Sequence, residues 1–577
     1  MPMTNREVAA VLERVGQILE IRGENPFKAR AYYSAARTIE SLGEDVNKVV
    51  ADGELGQIPG FGEALTAKVT ELVTTGRMKY LDEISSGLPD GLLGLLEVPD
   101  VGPKKVKLFY EKLGIKSVEE LEEAARAGRL ADLPGMGEKS QAKILAGIQQ
   151  RKEHKGRWLL SEALPLAKRI FAEVEGVKGV RRASLGGSIR RMRETIGDID
   201  ILVSAADPAA VIQAFTALDG IERVLAAGDT KGSAVFKPGI QVDVRVVEEE
   251  SYAAAQHYFT GSKEHNVHMR QLAKDRGWKL NEYGLFDGDA PLPAKDEKAL
   301  FARMGMDFVP PELREDRGEI EAALAHGLPA LAEEDDVRGA FHIHSNATDG
   351  SMTLEQLAAE AKSRGYSYLV ISDHSRAVAV ANGLDEERVR RQWAEIKKLN
   401  AKLKGLSIFR SIEVDIRKDG ALDYGDEILR GFDCCIAAVH SSFTMPSADM
   451  TARIIKALSN PCVDILAHPT GRLLLEREPY AVDIEAVLSA CAKHNVAVEI
   501  NAQPSRLDLD WRFVRTGREL GCRFAVGLDA HHKEDFDWAG LGVAVARKGW
   551  LAKGDILNCM SAAQFKRWLS GRRRRRR

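Results

Sequence analysis

Between Phe341 and His531, six histidines, two aspartates and a glutamate close successive short apolar runs: His342, His344, Asp349, His374, Glu413, His440, His468, Asp529 and His531. The runs are GAFHIH, YLVISDH, SIFRSIEV, CCIAAVH, VDILAH and FAVGLDAH, each with the composition of a strand. Imidazole and carboxylate together suit zinc, manganese or iron, and nine ligands exceed the four that one tetrahedral ion takes. A site for two or three ions is therefore expected. Any one of these histidines alone is equally well read as a hydrogen-bonded strand end. Six of the thirteen histidines at such positions is a coincidence that a shared metal site removes.

Ligands spread over so much sequence need a scaffold that gathers them. In parallel βα units the strand C-termini converge on one face. Residues two apart on a strand share a face, which pairs His342 with His344 and Asp529 with His531. Strand-like runs near residues 340, 369, 410, 436, 465, 498 and 525 are separated by helical patterns such as LDEERVRRQWAEIKKLNAKL. In the order HxH, DH, E, H, H, DxH, the nine residues resemble the PHP (polymerase and histidinol phosphatase) domain, from roughly Ala340 to Leu569. That resemblance implies a distorted seven-stranded βα barrel carrying a trinuclear phosphoesterase site.

A second group of acids lies upstream, in SLGGSIRRMRETIGDIDILV. Asp198 and Asp200 alternate with Ile199 and Ile201, so the carboxylates face one side of a strand and the isoleucines the other. Asp243, in GIQVDVRVV, stands in another strand-like run. Three carboxylates on adjacent strands can hold two magnesium ions, which activate an attacking hydroxyl and stabilise a leaving pyrophosphate. Gly186, Gly187 and Ser188 form a turn ahead of them whose amides can approach a triphosphate. A GG turn alone is ordinary loop sequence; its spacing from DxD and the later aspartate carries the weight. The pattern resembles the nucleotidyltransferase palm, and YFTGSKEHNVHMR narrows the resemblance to the family X DNA polymerases. It implies Ser188 and Arg191 at the triphosphate, Tyr258 and Phe259 at the sugar, Gly261 and Ser262 in the turn, Asn266 at the base and Arg270 near the template minor groove. LNEYGLF, Leu280 to Phe286, resembles the thumb.

The N-terminal third repeats a Pro-x-x-Gly turn before a lysine-bearing helical run: IPGFGEALTAKV, VPDVGPKKVKLF and LPGMGEKSQAKIL. One such turn is an ordinary helix connection; three resemble helix-hairpin-helix motifs, whose turn amides hold a DNA phosphate without reading bases. The resemblance implicates Gly60, Gly62, Gly102, Gly135 and Gly137, with Asp100 in place of the first glycine in the middle copy. Lys68 matches the Schiff-base lysine of family members with 5′-deoxyribose phosphate lyase activity. Lys28 and Tyr32 also align, whereas Ala64 and Phe27 replace basic residues, so binding of a 5′-phosphate is the inference drawn.

At 577 residues the chain is long enough for about four domains. No apolar run reaches membrane-spanning length and the polar start is no secretory signal. The six cysteines, between Cys434 and Cys559 and without a CxxC pair, fit reduced, mostly buried thiols of a cytoplasmic protein. The net charge is −3 even with the terminal arginines Arg572 to Arg577 counted, so DNA binding must use local sites such as Arg190, Arg191 and Arg193, the hairpins and the ions. The Arg tail is expected to be disordered and without specific function.

The expected organisation is a helical DNA-end domain (1–87), a second hairpin domain (88–152), an α/β palm with thumb (153–329), an acidic linker (330–339), the barrel (340–570) and the tail (571–577). The reading is a monomeric bacterial-type family X DNA polymerase fused to a PHP domain. It would use Mg2+ and dNTPs to fill gaps in gapped or primer-template DNA during base excision repair. Its barrel, with Mn2+ or Zn2+, would act as a 3′ to 5′ exonuclease, with abasic-site endonuclease or 3′-phosphatase activity as further expectations. Two other readings are a small-molecule phosphatase carrying a polymerase relic and a DNA-end scaffold without catalysis. Three hairpins, an intact acid triad and a full ligand set weigh against both.

Overall fold

In the N-terminal region apolar residues recur at helical spacing between capping residues and glycines. A computed structural model describes residues 3–575 apart from 41, 43, 44, 90 and 155. Helix Asn5–Arg22 starts on a capping box formed by Thr4 and Glu7 and stops at Gly23, whose φ of 70° ends the helix at no steric cost. It buries Val8, Leu12, Val15 and Leu19 with Ala29, Tyr32 and Ala36 of the next helix, Pro26–Glu40. A separate apolar cluster gathers Leu92, Leu95, Val106, Phe109, Leu121 and Ile144. Helices Glu63–Thr75, Pro103–Leu113 and Glu138–His154 each begin directly after the last glycine of a Pro-x-x-Gly turn. The first glycine of two turns lies in the left-handed region, Gly60 at φ 93° and Gly135 at 75°. In the middle copy Asp100 adopts that conformation itself, at φ 64°, so the turn survives at a cost of about 1 kcal/mol. These helices belong to one compact unit, which also takes in Asp349–Met352 and Leu475–Arg477; a second unit comprises Gly156–Thr348, Thr353–Leu474 and the chain from Glu478 onward.

In the second unit, a five-stranded mixed sheet is ordered Val180–Leu185, Asp198–Ala205, Ile240–Val247, Lys231–Phe236 and Ile221–Ala227. Helices Tyr252–Thr260 and Lys263–Asp275 lead from it to a small antiparallel sheet, Trp278–Asn281, Gly284–Asp287 and Ala290–Pro291. The barrel is closed and parallel, with seven strands in sequence order: Gly339–Ile343, Tyr368–Ile371, Ser407–Asp415, Cys434–Ala438, Ile465–Leu466, Ala497–Asn501 and Phe524–Ala530. The seven runs read from the sequence are these strands. Six are buried along both faces and the third is buried except at Ser407 and Arg410, which is why they read as largely apolar runs.

Two charged segments differ from expectation. The Arg tail does not start as disordered chain, because helix Ala562–Arg575 extends into it as far as Arg575; the last two arginines lie outside the described residues. This helix sets Phe565 against Phe341, Tyr368 and Phe409, with ring centroids 4.9–5.5 Å apart, and buries Arg572 against Asp464. A buried arginine facing a buried carboxylate fixes the helix end. The acidic stretch 330–339 is also packed rather than free. Ala332 donates its amide to the Leu551 carbonyl, Glu333 pairs with Arg547 at 2.7 Å and Asp336 with Lys553 at 2.6 Å. Its negative charges neutralise cations of the barrel surface. Among the described residues no helix is long and apolar enough to cross a membrane.

Candidate metal centres and nucleic-acid contacts

The nine barrel residues meet at the C-terminal ends of the strands. Their donor atoms fall into three groups: His344, Asp349, His374 and His531; His342, His344 and Asp529; and His374, Glu413 and His440, with the atoms of each group within 4.8 Å of one another. His344 and His374 each serve two groups, the ligand sharing of a multinuclear site. His468 is in none of the three and instead places Nε2 2.9 Å from Glu413 Oε1.

His342 and His344 converge, with ring centroids 5.2 Å apart, but simple strand alternation does not bring them there. The first strand's register shifts against both neighbours between Ala340 and Ile343, and His342 sits at φ 57°. Asp529 and His468 also have positive φ, 49° and 25°. Non-glycine residues in this region store on the order of 1–3 kcal/mol each and cluster at functional sites. The bulge re-aims His342, and the surrounding barrel holds the strain.

The donor set fits ions. His342 Nε2 is buried without a hydrogen bond, 3.4 Å from Glu413 Oε1 and 3.5 Å from Asp529 Oδ1. Those are separations of neighbouring ligands around an ion bonded at about 2.1 Å. Burial lowers the His342 pKa, yet Glu499, Asp529 and Glu413 together hold it well above the ordinary range. Burial likewise raises the carboxylates, while the histidines press Glu413 and Asp529 well below their usual values. Burial opposes the charge on His440, and Glu413 and Asp415 bring it to about 9. Ions would displace these protons.

Sequence reasoning missed the residues that hold the ligands. Glu499, buried on the sixth strand, places Oε1 2.5 Å from His342 Nδ1 and accepts the His468 amide at 2.7 Å. Asn501 donates to Glu499 at 3.2 Å and to Asp529 at 3.0 Å. Asp415 stands 3.2 Å from His440 Nδ1. Such partners set ring orientation and ligand basicity. The signal was present in VAVEIN, where two polar residues two apart end an otherwise apolar strand.

In the five-stranded sheet, Asp200 and Asp243 are direct neighbours on parallel strands, with Asp198 two residues before Asp200. Ser233 donates to one Asp243 oxygen and Gln241 to the other, at 3.2 Å. Burial, reinforced by Asp198 and Asp243, pushes Asp200 up to about 7; burial and Asp243 also raise Asp198. A crowded triad of this kind is relieved by cations. Gly186 donates its amide to the Asp200 carbonyl at 2.8 Å, and a Cβ on Gly187 would collide with the Asp200 carboxylate. Lys231, Arg245 and Phe259 line one pocket with Asp200 and Asp243; the two cations were not anticipated.

Ser188 lies in the short helix Gly187–Arg190. Tyr258 and Phe259 meet edge to face at 5.1 Å, and Phe259 lies under Arg245 at 4.7 Å. Gly261 has φ 67°, and buried Ser262 caps helix Lys263–Asp275. Asn266 is buried and donates to the Tyr258 carbonyl at 2.7 Å, whereas Arg270 is exposed. Arg190, Arg191 and Arg193 are not a free basic patch. Arg190 pairs with Glu297 at 2.6 Å, and Arg191 and Arg193 with Glu315 at 3.2 and 3.1 Å. Burial raises Glu297, but Arg314 and Arg190 bring it down to about 2. Buried acids need these cations.

At the hairpins, Gly62 and Gly102 are helix N-caps without a side-chain cap. A Cβ at Gly60, Gly62, Gly102, Gly135 or Gly137 would meet nothing within 4 Å. The space before these amides is open. Nearby, Lys68 and Lys28 lie over the Tyr80 ring at 4.5 and 5.1 Å, Tyr32 stacks on Tyr80 at 5.9 Å, and Phe27 is exposed.

Comparison with known proteins agrees along the chain. Residues 3–78 match a model described as a helix-hairpin-helix domain, 92–150 a SAM-like helix-hairpin-helix tandem, 255–315 the DNA polymerase beta thumb and 340–503 the PHP domain. A Bacillus subtilis (strain 168) protein named DNA polymerase/3′-5′ exonuclease PolX is 35% identical over 98% of this chain and 99% of its own. The chain belongs to the bacterial family X DNA polymerases with a C-terminal PHP domain. As a family X polymerase it is a nucleotidyltransferase acting on DNA, joined to a metal-dependent phosphoesterase domain. Rat DNA polymerase lambda is 24% identical over 54% of this chain and 56% of its own length. A probable phosphatase of Thermoanaerobacter sp. (strain X514) is 28% identical over 39% of this chain and 90% of its own.

Proposed function

We propose that this polymerase fills short gaps in DNA, as in base excision repair, and that its barrel removes nucleotides from 3′ ends. The observation that carries the proposal is the facing of Asp200 and Asp243 across parallel strands with Asp198 alongside. These acids would hold Mg2+, which supplies the positive charge that phosphoryl transfer requires. Asp198 is the most exposed of the three, and the primer 3′-hydroxyl would come to this triad. That oxygen bonds to the α-phosphorus of a dNTP as pyrophosphate departs. The amides around Gly187 and Ser188, with Arg191, receive the triphosphate; Tyr258, Phe259, Gly261, Ser262 and Asn266 shape the sugar and base pocket; and Arg270 reaches the template.

In the barrel, the nine ligands would hold two or three Mn2+ or Zn2+ ions, which polarise the phosphate and activate the attacking oxygen. Glu499 and Asp415 fix the rings of His342 and His440. Likeness to a probable phosphatase along 90% of its length favours a second reading, in which the same site also removes a 3′-phosphate or cuts at abasic sites. The hairpin amides at Gly60, Gly62, Gly102, Gly135 and Gly137 take DNA phosphates, and Lys28 and Lys68 flanking Tyr80 take the 5′-phosphate of the gap. The enzyme works as a monomer in the bacterial cytoplasm.

The test is incubation with single-nucleotide-gapped DNA bearing a 3′-hydroxyl or a 3′-phosphate, with Mg2+ or Mn2+. Extension with dNTPs, degradation without them and unblocking of the 3′-phosphate are expected. Lack of extension overturns the polymerase assignment, and lack of both degradation and unblocking overturns that of the barrel.

A further inference from the structure

One side chain of the barrel reaches fully into the polymerase. Lys548, the last residue of helix Ala539–Lys548, is buried. An ammonium has three protons to place, and Nζ finds three acceptors outside the barrel: the Arg191 carbonyl at 2.9 Å, the Glu312 carbonyl at 3.2 Å and Glu315 Oε1 at 3.0 Å. The barrel itself offers it the face of Trp511, 4.7 Å away.

Glu315 is the hub. Its carboxylate also takes Arg191 Nε at 3.2 Å and Arg193 at 3.1 Å, and burial would raise it were it not for Lys548, Arg191 and Arg193. Arg191 is therefore gripped at its carbonyl by Lys548 and at its guanidinium by a carboxylate that Lys548 balances. The same guanidinium donates to the Thr260 carbonyl, one residue before the Gly261–Ser262 turn. A bridge of adjacent groups thus runs from the barrel to the loop beside the acid triad.

We propose that Lys548 is a positioning residue for polymerisation, so that the barrel completes the nucleotide pocket by fixing Arg191 through Glu315. The proposal rests on the reading that Arg191 meets the triphosphate. Removing the ammonium leaves Glu315 under-compensated and two part-buried carbonyls without this donor, and Arg191 loses its fixed direction. Misplacement of a positioning group weakens ground-state and transition-state contacts without touching the reacting atoms.

The experiment measures KM for dNTP, kcat and gapped-DNA affinity in the full-length enzyme carrying Lys548→Met, Glu315→Gln, both, or Arg191→Ala, with 3′ to 5′ degradation as a fold control. Lys548→Met is expected to raise KM for dNTP on the order of tenfold while DNA affinity and degradation hold. The double variant is expected to resemble Glu315→Gln alone, the non-additivity of residues acting in one chain. Arg515→Met removes another contact of the same interface, in which Arg515 covers Trp550 at 4.0 Å and donates to the Arg317 carbonyl; it is expected to leave KM unchanged. If Arg191→Ala raises KM and Lys548→Met does not, the positioning role is overturned and the pocket reading stands. If Arg191→Ala leaves KM unchanged, the pocket reading itself fails and the proposal with it. Equal effects of Arg515→Met and Lys548→Met would reveal general loosening of the interface and also overturn it. Should Lys548→Met not fold, Glu315→Gln alone decides, since an unchanged KM there breaks the bridge.

Discussion

Replacing Asp200 by asparagine is expected to stabilise the metal-free protein at alkaline pH while removing polymerisation. Burial and the neighbouring Asp198 and Asp243 lift Asp200 from about 3.8 to about 7, and the proton is shared by the triad as a unit. The native state then holds a proton that the unfolded chain has already released. Stability from this source is complete below about pH 4 and is lost as pH rises to about 7. One pKa unit is worth about 1.4 kcal/mol, so roughly three units correspond to about 4 kcal/mol over the whole range. About 3 kcal/mol of that falls between about pH 5 and pH 8. Asparagine cannot ionise, and in the variant this decline is absent. Equilibrium urea unfolding in excess chelator at those two pH values checks it: the wild-type stability minus that of Asp200→Asn is expected to fall with pH, and Mg2+ at pH 8 to rescue the wild type alone. A difference that stays constant with pH, or grows, would show that the triad is not a cluster of mutually destabilised carboxylates and would refute the electrostatic account.

Glu499→Gln keeps shape but loses the charge facing His342 Nδ1; metal affinity of the barrel and degradation are expected to fall about 10–100-fold, measured by metal titration and exonuclease rate, with extension unaffected. Gly62→Ala meets no protein atom and no left-handed backbone, so it should leave the melting temperature unchanged yet weaken gapped-DNA binding at fixed salt; Gly60→Val, at φ 93°, should lose both. Arg572→Met leaves Asp464 buried without its cation and should destabilise the barrel by about 3–5 kcal/mol in chemical denaturation.

The barrel was legible because its strands are apolar throughout and its ligands are residue types rarely left at strand ends by chance. The helical hairpins were legible because Pro and Gly mark backbone geometry directly. What sequence did not reveal depends on contacts distant in the chain. A lone Glu499 in a strand carries no mark of the ring it will face, and alternation predicts the side of His342 but not the bulge that turns it. Arg190, Arg191 and Arg193 look like a phosphate-binding patch until Glu297 and Glu315, more than a hundred residues later, are found to hold them. The acidic stretch before the barrel read as a linker and the terminal arginines as a disordered tail. Arg547, Lys553 and Asp464, their partners, lie far off in sequence, and pairing of this kind leaves no local periodicity.

Two metal centres in one chain would run opposite reactions on DNA ends. One labelled primer on gapped DNA is followed with Asp243→Ala and with the double change His342→Ala and His344→Ala. Asp243→Ala is expected to degrade the primer at the wild-type rate without extending it. The histidine double variant is expected to extend it without degrading it, and to hold fewer transition-metal ions per chain by elemental analysis. Normal extension by Asp243→Ala, wild-type degradation by the histidine variant, or equal loss of both activities in either folded variant would contradict the account.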